Sequence, residues 1–362
     1  MESKLEQARK IISEADAEMA ALFVRRMRAV ELVCEHKTQY GLPVLDEARE
    51  AAVIAKNTDL IEDDVLKGYY IDYIKGVMEI SRAYQHRLQS GLKVAYSGVE
   101  GAFAHIAAGK IFPTGNRIAC RDFKAAYDSV VSGENDVAVL PIENSYAGEV
   151  GQTVDLIFHG SLFINGVYEL EIRQNLLGVP GASVQDIQTV ISHPQALGQC
   201  HDYIERRQFK TEEASNTALA ARAVARARDR TVGAIASAET AALYGLTVLE
   251  ENINKSSENT TRFAVLSRVR ASSLAMSHSV LMFTVRHEAG SLAKAVSIIG
   301  KYGCNMTALR SRPLKEHSWQ YYFYMEIDGA ADSDRGRQML AELNEVCDRL
   351  KVVGSYEPHA RL

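Results

Sequence analysis

Val137-Ala138-Val139-Leu140-Pro141-Ile142-Glu143-Asn144-Ser145-Tyr146-Ala147-Gly148 is the stretch that decides how this chain folds. Val137 to Ile142 is an apolar, β-branched run of the kind that forms a buried strand. Pro141 has no N–H to give to a ladder, which predicts that the sheet ends there. Glu143, Asn144 and Ser145 follow at once. Gly148 and Gly151 permit tight turns, and Gln152 to Phe158 reads as a helix. Strand, polar loop and helix in that order build open α/β sheets, which place ligands just outside their strand ends.

The same unit recurs on both sides, from Leu92 to about Arg268. Val94 to Tyr96 reads as a strand, followed by a loop with Gly98 and Gly101 and a helix from Ala102 to Gly109. A helix from Phe123 to Ser132 feeds the Val137 strand. Tyr168 to Ile172 and Leu176-Leu177 read as strands. Val190-Ile191-Ser192 leads into a helix from Pro194 to Arg207, with proline in the first turn. Ser215-Asn216-Thr217 opens a helix from Ala218 to Arg228, and Thr217 is its expected cap. Strand Val232 to Ile235, helix Ser237 to Tyr244 and strand Phe263 to Leu266 complete the run. Two doubly wound halves with crossing connections predict a cleft between them. Ser97, Asn144, Ser145, Ser192, Gln199, Thr217, Thr261 and Arg262 fall at strand ends and loops. Each alone reads as a cap or turn residue as readily as a catalyst; together they predict a polar cleft. His193 is either a cleft group or structural, and Glu143 either borders the cleft or pairs with a buried cation.

Upstream, Leu5 to about Lys37 reads as one long helix. Leu5, Ala8, Ile12, Ala15, Met19, Leu22, Arg26, Ala29 and Val33 recur three and four apart, a heptad-like seam that has to be buried against partners. Arg26 sits in that seam, either as a polar register-setter or as part of an internal anion site flanked by Arg9 and Lys37. Gly41-Leu42-Pro43 breaks the helix. A second helix spans Asp46 to Asn57, with Asp46, Arg49 and Glu50 on one face. A third runs from about Asp63 to Leu88, with Ser81 and Gln85 sharing a face. One helix too long to be covered by the other two predicts a homodimer or higher homo-oligomer.

Downstream, Ala271 to Ser277 reads as a polar linker that would let the C-terminal segment re-dock against the cleft. Strand Ser279 to Val285, helix Ser291 to Tyr302, strand Asn305 to Arg310, strand Gln320 to Ile327, helix Asp334 to Arg349 and strand Val352 to Tyr356 give a ferredoxin-like βαββαβ order. It shows no catalytic constellation, so it reads as a sensing module or as a dimerisation module alone.

The 362 residues suffice for two or three domains. A net charge of −5 gives no reason to expect a nucleic-acid partner, and no apolar run reaches the ~20 residues of a membrane span. Met1-Glu2-Ser3-Lys4-Leu5-Glu6-Gln7 reads as a charged helix start and not as a signal peptide. Five scattered cysteines without metal-ligand spacing fit reduced thiols in a cytoplasm.

Leu140-Pro141-Ile142-Glu143-Asn144-Ser145 resembles a signature of the prephenate dehydratases. Ile191-Ser192-His193-Pro194-Gln195-Ala196-Leu197-Gly198-Gln199-Cys200 and Asn259-Thr260-Thr261-Arg262-Phe263 resemble two more, in that family's order. Residues 5 to 89 resemble the all-helical chorismate mutases. Gly290-Ser291-Leu292 and Ser311-Arg312-Pro313 resemble motifs of the amino-acid-binding ACT domain. The resemblance is to bifunctional chorismate mutase–prephenate dehydratases, and it implies a helical domain over 1–89, an α/β domain over 92–268 and an α+β ACT domain over 278–358. In the first, chorismate would rearrange to prephenate. Arg9 (from a partner chain), Arg26, Asp46, Arg49, Glu50 and Ser81 would bind it, with Lys37 and Gln85 holding the ether oxygen. In the second, prephenate would lose carbon dioxide and water to give phenylpyruvate, with Asn144, Ser145, Ser192, Gln199 and Thr261 catalytic and Arg262 on the substrate. In the third, Gly290, Ser291, Leu292, Asn305, Ser311, Arg312 and Pro313 would bind L-phenylalanine as feedback effector. No metal and no cofactor is implied.

The chain departs from the family at four places. Gln174-Asn175-Leu176-Leu177 stands where many members have His-Cys-Leu-Leu, and Ser215 where many have an acid, which leaves the proton donor open. Gly-Ser-Leu replaces Gly-Ala-Leu, and Arg310 replaces a glutamate. Two rivals therefore stand beside the main reading: a cleft that only binds a ligand, and a decarboxylase that leaves the ring non-aromatic. Arogenate remains an alternative substrate.

Overall fold

The computed structural model describes residues 3–254, 259–271, 276–314, 320–357 and 361–362. The chain divides into two compact units, Met1–Leu92 and Lys93–Leu362.

The first unit is three helices, α1 (Lys4–Tyr40), α2 (Glu47–Thr58) and α3 (Asp64–Ser90). Ser3 and Glu6 close a capping box at the start of α1, and Gly41, at φ 65°, ends it. Asp46 and Asp63 cap α2 and α3. Val30 and Cys34 of α1 are buried, as are Ile74 and Met78 of α3. The start of α1 is not covered: Leu5, Ile12 and Met19 of the heptad seam are 59%, 58% and 45% exposed.

The second unit begins with β1 (Lys93–Ser97), α4 (Phe103–Ile111), β2 (Asn116–Cys120), α5 (Phe123–Val131), β3 (Val137–Asn144), β4 (Gly148–Glu149), α6 (Gly151–His159) and β5 (Phe163–Glu171). The chain then crosses to a second sheet through β6 (Asn175–Gly178), β7 (Thr189–Ser192), α7 (Pro194–Gln199), α8 (His201–Arg207), β8 (Lys210–Glu213), α9 (Thr217–Ala227), β9 (Val232–Ala236), α10 (Ala238–Tyr244) and β10 (Thr247–Glu250). It returns in β11 (Thr260–Ser267) and ends in β12 (His278–Val285), α11 (Ser291–Lys301), β13 (Met306–Pro313), β14 (Tyr321–Ile327), α12 (Asp334–Val346) and β15 (Cys347–Tyr356). Among the described residues the first sheet runs β13-β14-β12-β15-β5-β11-β3-β1-β2, with β4 on β3, and the second runs β10-β6-β9-β7-β8.

Several expectations need correcting. Pro141 does not end its strand. It pairs with Phe263, and the register then shifts so that Glu143 faces Arg262 and Asn144 faces Thr261. A proline is tolerated where a bulge interrupts the ladder. The helix expected over Pro194 to Arg207 is broken at Cys200, whose ψ of 11° separates α7 from α8. The cap of α9 is Asn216, whose side chain accepts from the Leu219 N–H, and not Thr217, which is the first helical residue.

Residues 272–275 of the expected linker lie outside the described residues. The strands on either side are not loosely tethered. Val280, Met282, Tyr322, Tyr324, Val353 and Tyr356 share one core with Ala138, Leu140, Val154, Phe158 and Leu266. Gly354 of β15 pairs in parallel with Ile164 of β5, and a Cβ on Gly354 would overlap the Ile164 carbonyl. Only glycine permits that joint.

Candidate functional site

In the helical unit, Ser81 and Gln85 lie four residues apart on α3 and are both buried. The Arg26 guanidinium reaches across from α1 and donates to the Ser81 hydroxyl and to the Val77 carbonyl. Gln85 donates to the Ser81 carbonyl at 3.4 Å, and its Oε1 is buried with no partner among the described residues. An unpartnered buried amide oxygen is costly unless something else occupies it. Lys37 donates to the Val44 carbonyl at 2.5 Å. Asp46 accepts from the Arg49 N–H at 2.9 Å, so its carboxylate serves the helix start. Glu50, which shares a helix face with Asp46 and Arg49, pairs with Arg82 of α3. Arg82 was not singled out from the sequence, because nothing local marks a pair formed 32 residues apart. Arg9 and Arg49 are exposed.

In the α/β unit, a cavity of about 280 Å³ is lined by residues from both halves. Asn144 and Thr261 line it from the first sheet, Gln174 from the lead into β6, His193, Gln195 and Gln199 from α7, and Asn216 and Thr217 from α9. Ala102 and Phe103 bring the N-terminus of α4 to it, and Phe123 and Ile172 close it with apolar surface. Gly101 has φ 87°, and a Cβ there would meet Leu243, Ala218 and Thr240 of the other half. Its carbonyl accepts from Thr240 Oγ1 at 2.8 Å. Glycine at this turn thus lets the halves approach closely enough to form the cavity.

Asn144 is the organising side chain. Its amide donates to Thr261 Oγ1 and to Asn259 Oδ1, both at 2.9 Å, and its carbonyl oxygen accepts from the N–H groups of Tyr146 and Ala147. With a lone pair of Thr261 Oγ1 so occupied, its O–H is left to donate. Gln174 donates to Gln199 at 3.3 Å, while Gln174 Oε1 is buried with no partner among the described residues. His193 Nδ1 accepts from the Gln195 N–H at 3.2 Å, which fixes the imidazole as the cap of α7 even though the ring lines the cavity. Two expected catalytic groups are used elsewhere. Ser192 is fully buried and donates to the Ile235 carbonyl at 2.6 Å, tying β7 to β9. Ser145 is exposed and exchanges bonds with the Thr260 backbone.

The prephenate dehydratase family model matches residues 94–271, and the type II chorismate mutase model matches residues 8–86. A bifunctional chorismate mutase/prephenate dehydratase of Enterobacter agglomerans is 32% identical over 363 residues, covering 95% of this chain and 94% of that protein. Arogenate dehydratase 2 of Petunia hybrida is 34% identical, over 74% of this chain and 72% of its own length. The chain belongs to the bifunctional chorismate mutase/prephenate dehydratase family. Among solved structures, the prephenate dehydratase of Arthrobacter aurescens in complex with L-Phe superposes with a TM-score of 0.67 at 26% identity, over 75% of this chain and 93% of that one.

Within the family's three-residue stretch Thr261-Arg262-Phe263, strand alternation divides the labour. Thr261 faces the cavity. Arg262, expected at the substrate, does not line it. Its guanidinium makes a two-pronged pair with Glu326 of β14, at 3.1 and 2.8 Å, and a third contact to Glu143 at 3.3 Å. Glu326 is 1% exposed and also accepts from the hydroxyls of Tyr324 and Tyr356. Burial opposes the charge on Arg262, but Glu326 outweighs it and raises the pKa. Arg310 of β13 completes the cluster on Glu143. Of the expected effector residues, Arg312 is taken by Glu149 at 2.6 Å and Asp155 at 2.8 Å. Asn305 is tied to Asp328 through its backbone.

A larger cavity, about 650 Å³, lies between the start of α11 and the end of α6. Ser291 and Leu292 line it with Phe158, His287, Tyr321 and Arg349. Gly290 precedes the helix at φ 83°.

Proposed function

We propose that the chain catalyses two consecutive steps of phenylalanine synthesis: chorismate to prephenate in the helical unit, and prephenate to phenylpyruvate in the cavity of the α/β unit. The observation that carries the second step is the Thr261 hydroxyl held at 2.9 Å by the Asn144 amide inside that cavity.

The first reaction is unimolecular. It needs a compact conformer of a dicarboxylate and positive charge or donors near the ether oxygen that gains electron density. Arg26 and Arg49 are suited to the carboxylates, and Lys37 and Gln85 to the ether oxygen, with Asp46, Glu50 and Ser81 completing the binding set. Arg9 sits on the uncovered stretch of α1, so it reaches a site only in a second copy of the chain. The exposed Leu5, Ile12 and Met19 favour such a homodimer.

In the second reaction the ring carboxylate leaves as carbon dioxide, and its bonding electrons enter the ring. The ring hydroxyl departs with a proton as water, and the gained aromaticity drives the step. Threonine is a poor acid, so the Thr261 O–H donates to, or relays a proton toward, the departing oxygen. No lysine or arginine lines the cavity among the described residues. The remaining carboxylate is therefore assigned to the backbone N–H groups at the starts of α4 and α9. Gln199 and Gln174 complete the polar wall, and arogenate is a second substrate to assay.

The division into 1–89 mutase, 92–268 dehydratase and 278–358 ACT-type sensor is part of this reading. L-phenylalanine is assigned to the 650 Å³ cavity beside Gly290, Ser291 and Leu292, supported by its size and by the L-Phe bound to the Arthrobacter relative. Ser311 and Pro313 belong to the same strand as Arg312 and are second-line contacts in this scheme. A cytoplasmic location fits the five free cysteines.

The test is to supply purified protein with chorismate, and separately with prephenate, and to identify products. Phenylpyruvate from both supports the reading. Prephenate accumulating without further change would reduce the α/β unit to a binder, and a non-aromatic decarboxylated acid would make it the alternative decarboxylase.

A further inference from the structure

Arg262 and Glu143 are adjacent in sequence to the two cavity residues Thr261 and Asn144, and they pair with each other at the same place in the ladder. The bulge between Arg262 and Phe263 shifts the register on the next residue, leaving a gap that separates the Arg262–Glu143 and Thr261–Asn144 pairs from the rest of the β3–β11 ladder. The gap is spanned by the ion cluster on the opposite face. Glu326 and Arg310 grip Arg262 and Glu143 from β14 and β13, both of which lie in the C-terminal βαββαβ segment. Glu326 is fully buried, and its two oxygens take four donors: two from Arg262, one from Tyr324 and one from Tyr356.

We infer that Arg262 and Glu326 are positioning residues for the dehydration, locking β3 and β11 so that Asn144 and Thr261 meet, and that the C-terminal segment thereby sets the geometry of the cavity. The inference rests on the proposed dehydratase activity. The cluster does not touch the cavity, so its effect on chemistry passes through the backbone of two residues. Misplacing a donor by an ångström costs up to about 10²-fold in rate.

The experiment uses the full chain. Glu326→Gln keeps the side chain's size, removes its charge and turns an N–H toward the Arg262 guanidinium. Dehydratase kcat on prephenate should fall about 10- to 100-fold with KM changed little, while chorismate consumption by the helical unit is unchanged. The paired variant Arg262→Met with Glu326→Leu removes both charges together. That restores stability where only an unpaired buried charge was at fault, so thermal unfolding should return toward the parent while kcat stays low. Recovery of kcat in the paired variant would overturn the inference, because the pair would then be merely structural. So would unchanged kcat in a folded Glu326→Gln. If the parent chain itself makes no phenylpyruvate, the proposed function has failed instead, which is a separate result.

Discussion

Arg26, Lys37 and Arg49 mark the candidate site of the helical unit, whereas the side chains lining the α/β cavity include no lysine, arginine, aspartate or glutamate among the described residues. Both sites are assigned dicarboxylate ligands. In the proposed scheme the helical unit answers that charge with cations on α1 and α2. The α/β unit answers it with amides, hydroxyls and helix starts inside one chain. The difference stems from the chemistry. Rearrangement transfers no proton, so fixed charges that compress the substrate and steady the ether oxygen suffice. Dehydration has to release a hydroxyl, and a donor whose lone pair is already engaged, such as Thr261 under Asn144, is directed outward to do it.

The largest effect that can break this contrast is in the helical unit. Lys37→Ala and Gln85→Ala should each lower chorismate turnover by about 10²–10³-fold while leaving turnover of supplied prephenate unchanged. Near-normal turnover of chorismate in Lys37→Ala would remove the cationic half of the comparison.

A smaller effect sharpens the neutral half. Gln174 cannot titrate and shares a hydrogen bond with Gln199. Gln174→His should shift the pH dependence of the dehydratase rate toward a histidine titration, at about pH 6.5. An unchanged profile would show that position 174 does not communicate with the leaving group.

The smallest effect is on stability alone. Asn216→Ala should cost about 1 kcal/mol in denaturant unfolding of the α/β unit, because it removes the cap of α9. Thr217→Val, which removes no cap bond, should cost less. The reverse order would return the cap to Thr217.

How far the sequence could be read differs between the units for a related reason. The helices of the first unit come from periodicity and caps within a few residues of each other, so α1, α2 and α3 were legible almost to their ends. In the second unit the strands with apolar runs, such as Val137 to Ile142 and Val232 to Ile235, were legible too. Lys210–Glu213 was not, since this edge strand is polar and exposed throughout. Thr261, Asn144 and Gln199 were found as cavity residues through their motifs. Arg262 was found with them but faces the other way, because neighbours in a strand point to opposite sides. Ser192 was chosen for its hydroxyl, which the Ile235 carbonyl consumes. The partners Arg82, Glu326 and Tyr356 were invisible, since each belongs to a pair made across tens of residues with no local pattern.

The measurement that bears most directly on two independent chemistries in one chain is product analysis of Thr261→Ala supplied with chorismate. Chorismate should disappear at the parent's rate and prephenate should accumulate in matching amount, with phenylpyruvate formation slowed about 10²-fold or more. Thr261→Ser, which keeps the hydroxyl, should form more of it. Phenylpyruvate formed by Thr261→Ala as fast as by the parent would contradict the account, as would a parallel loss of chorismate consumption.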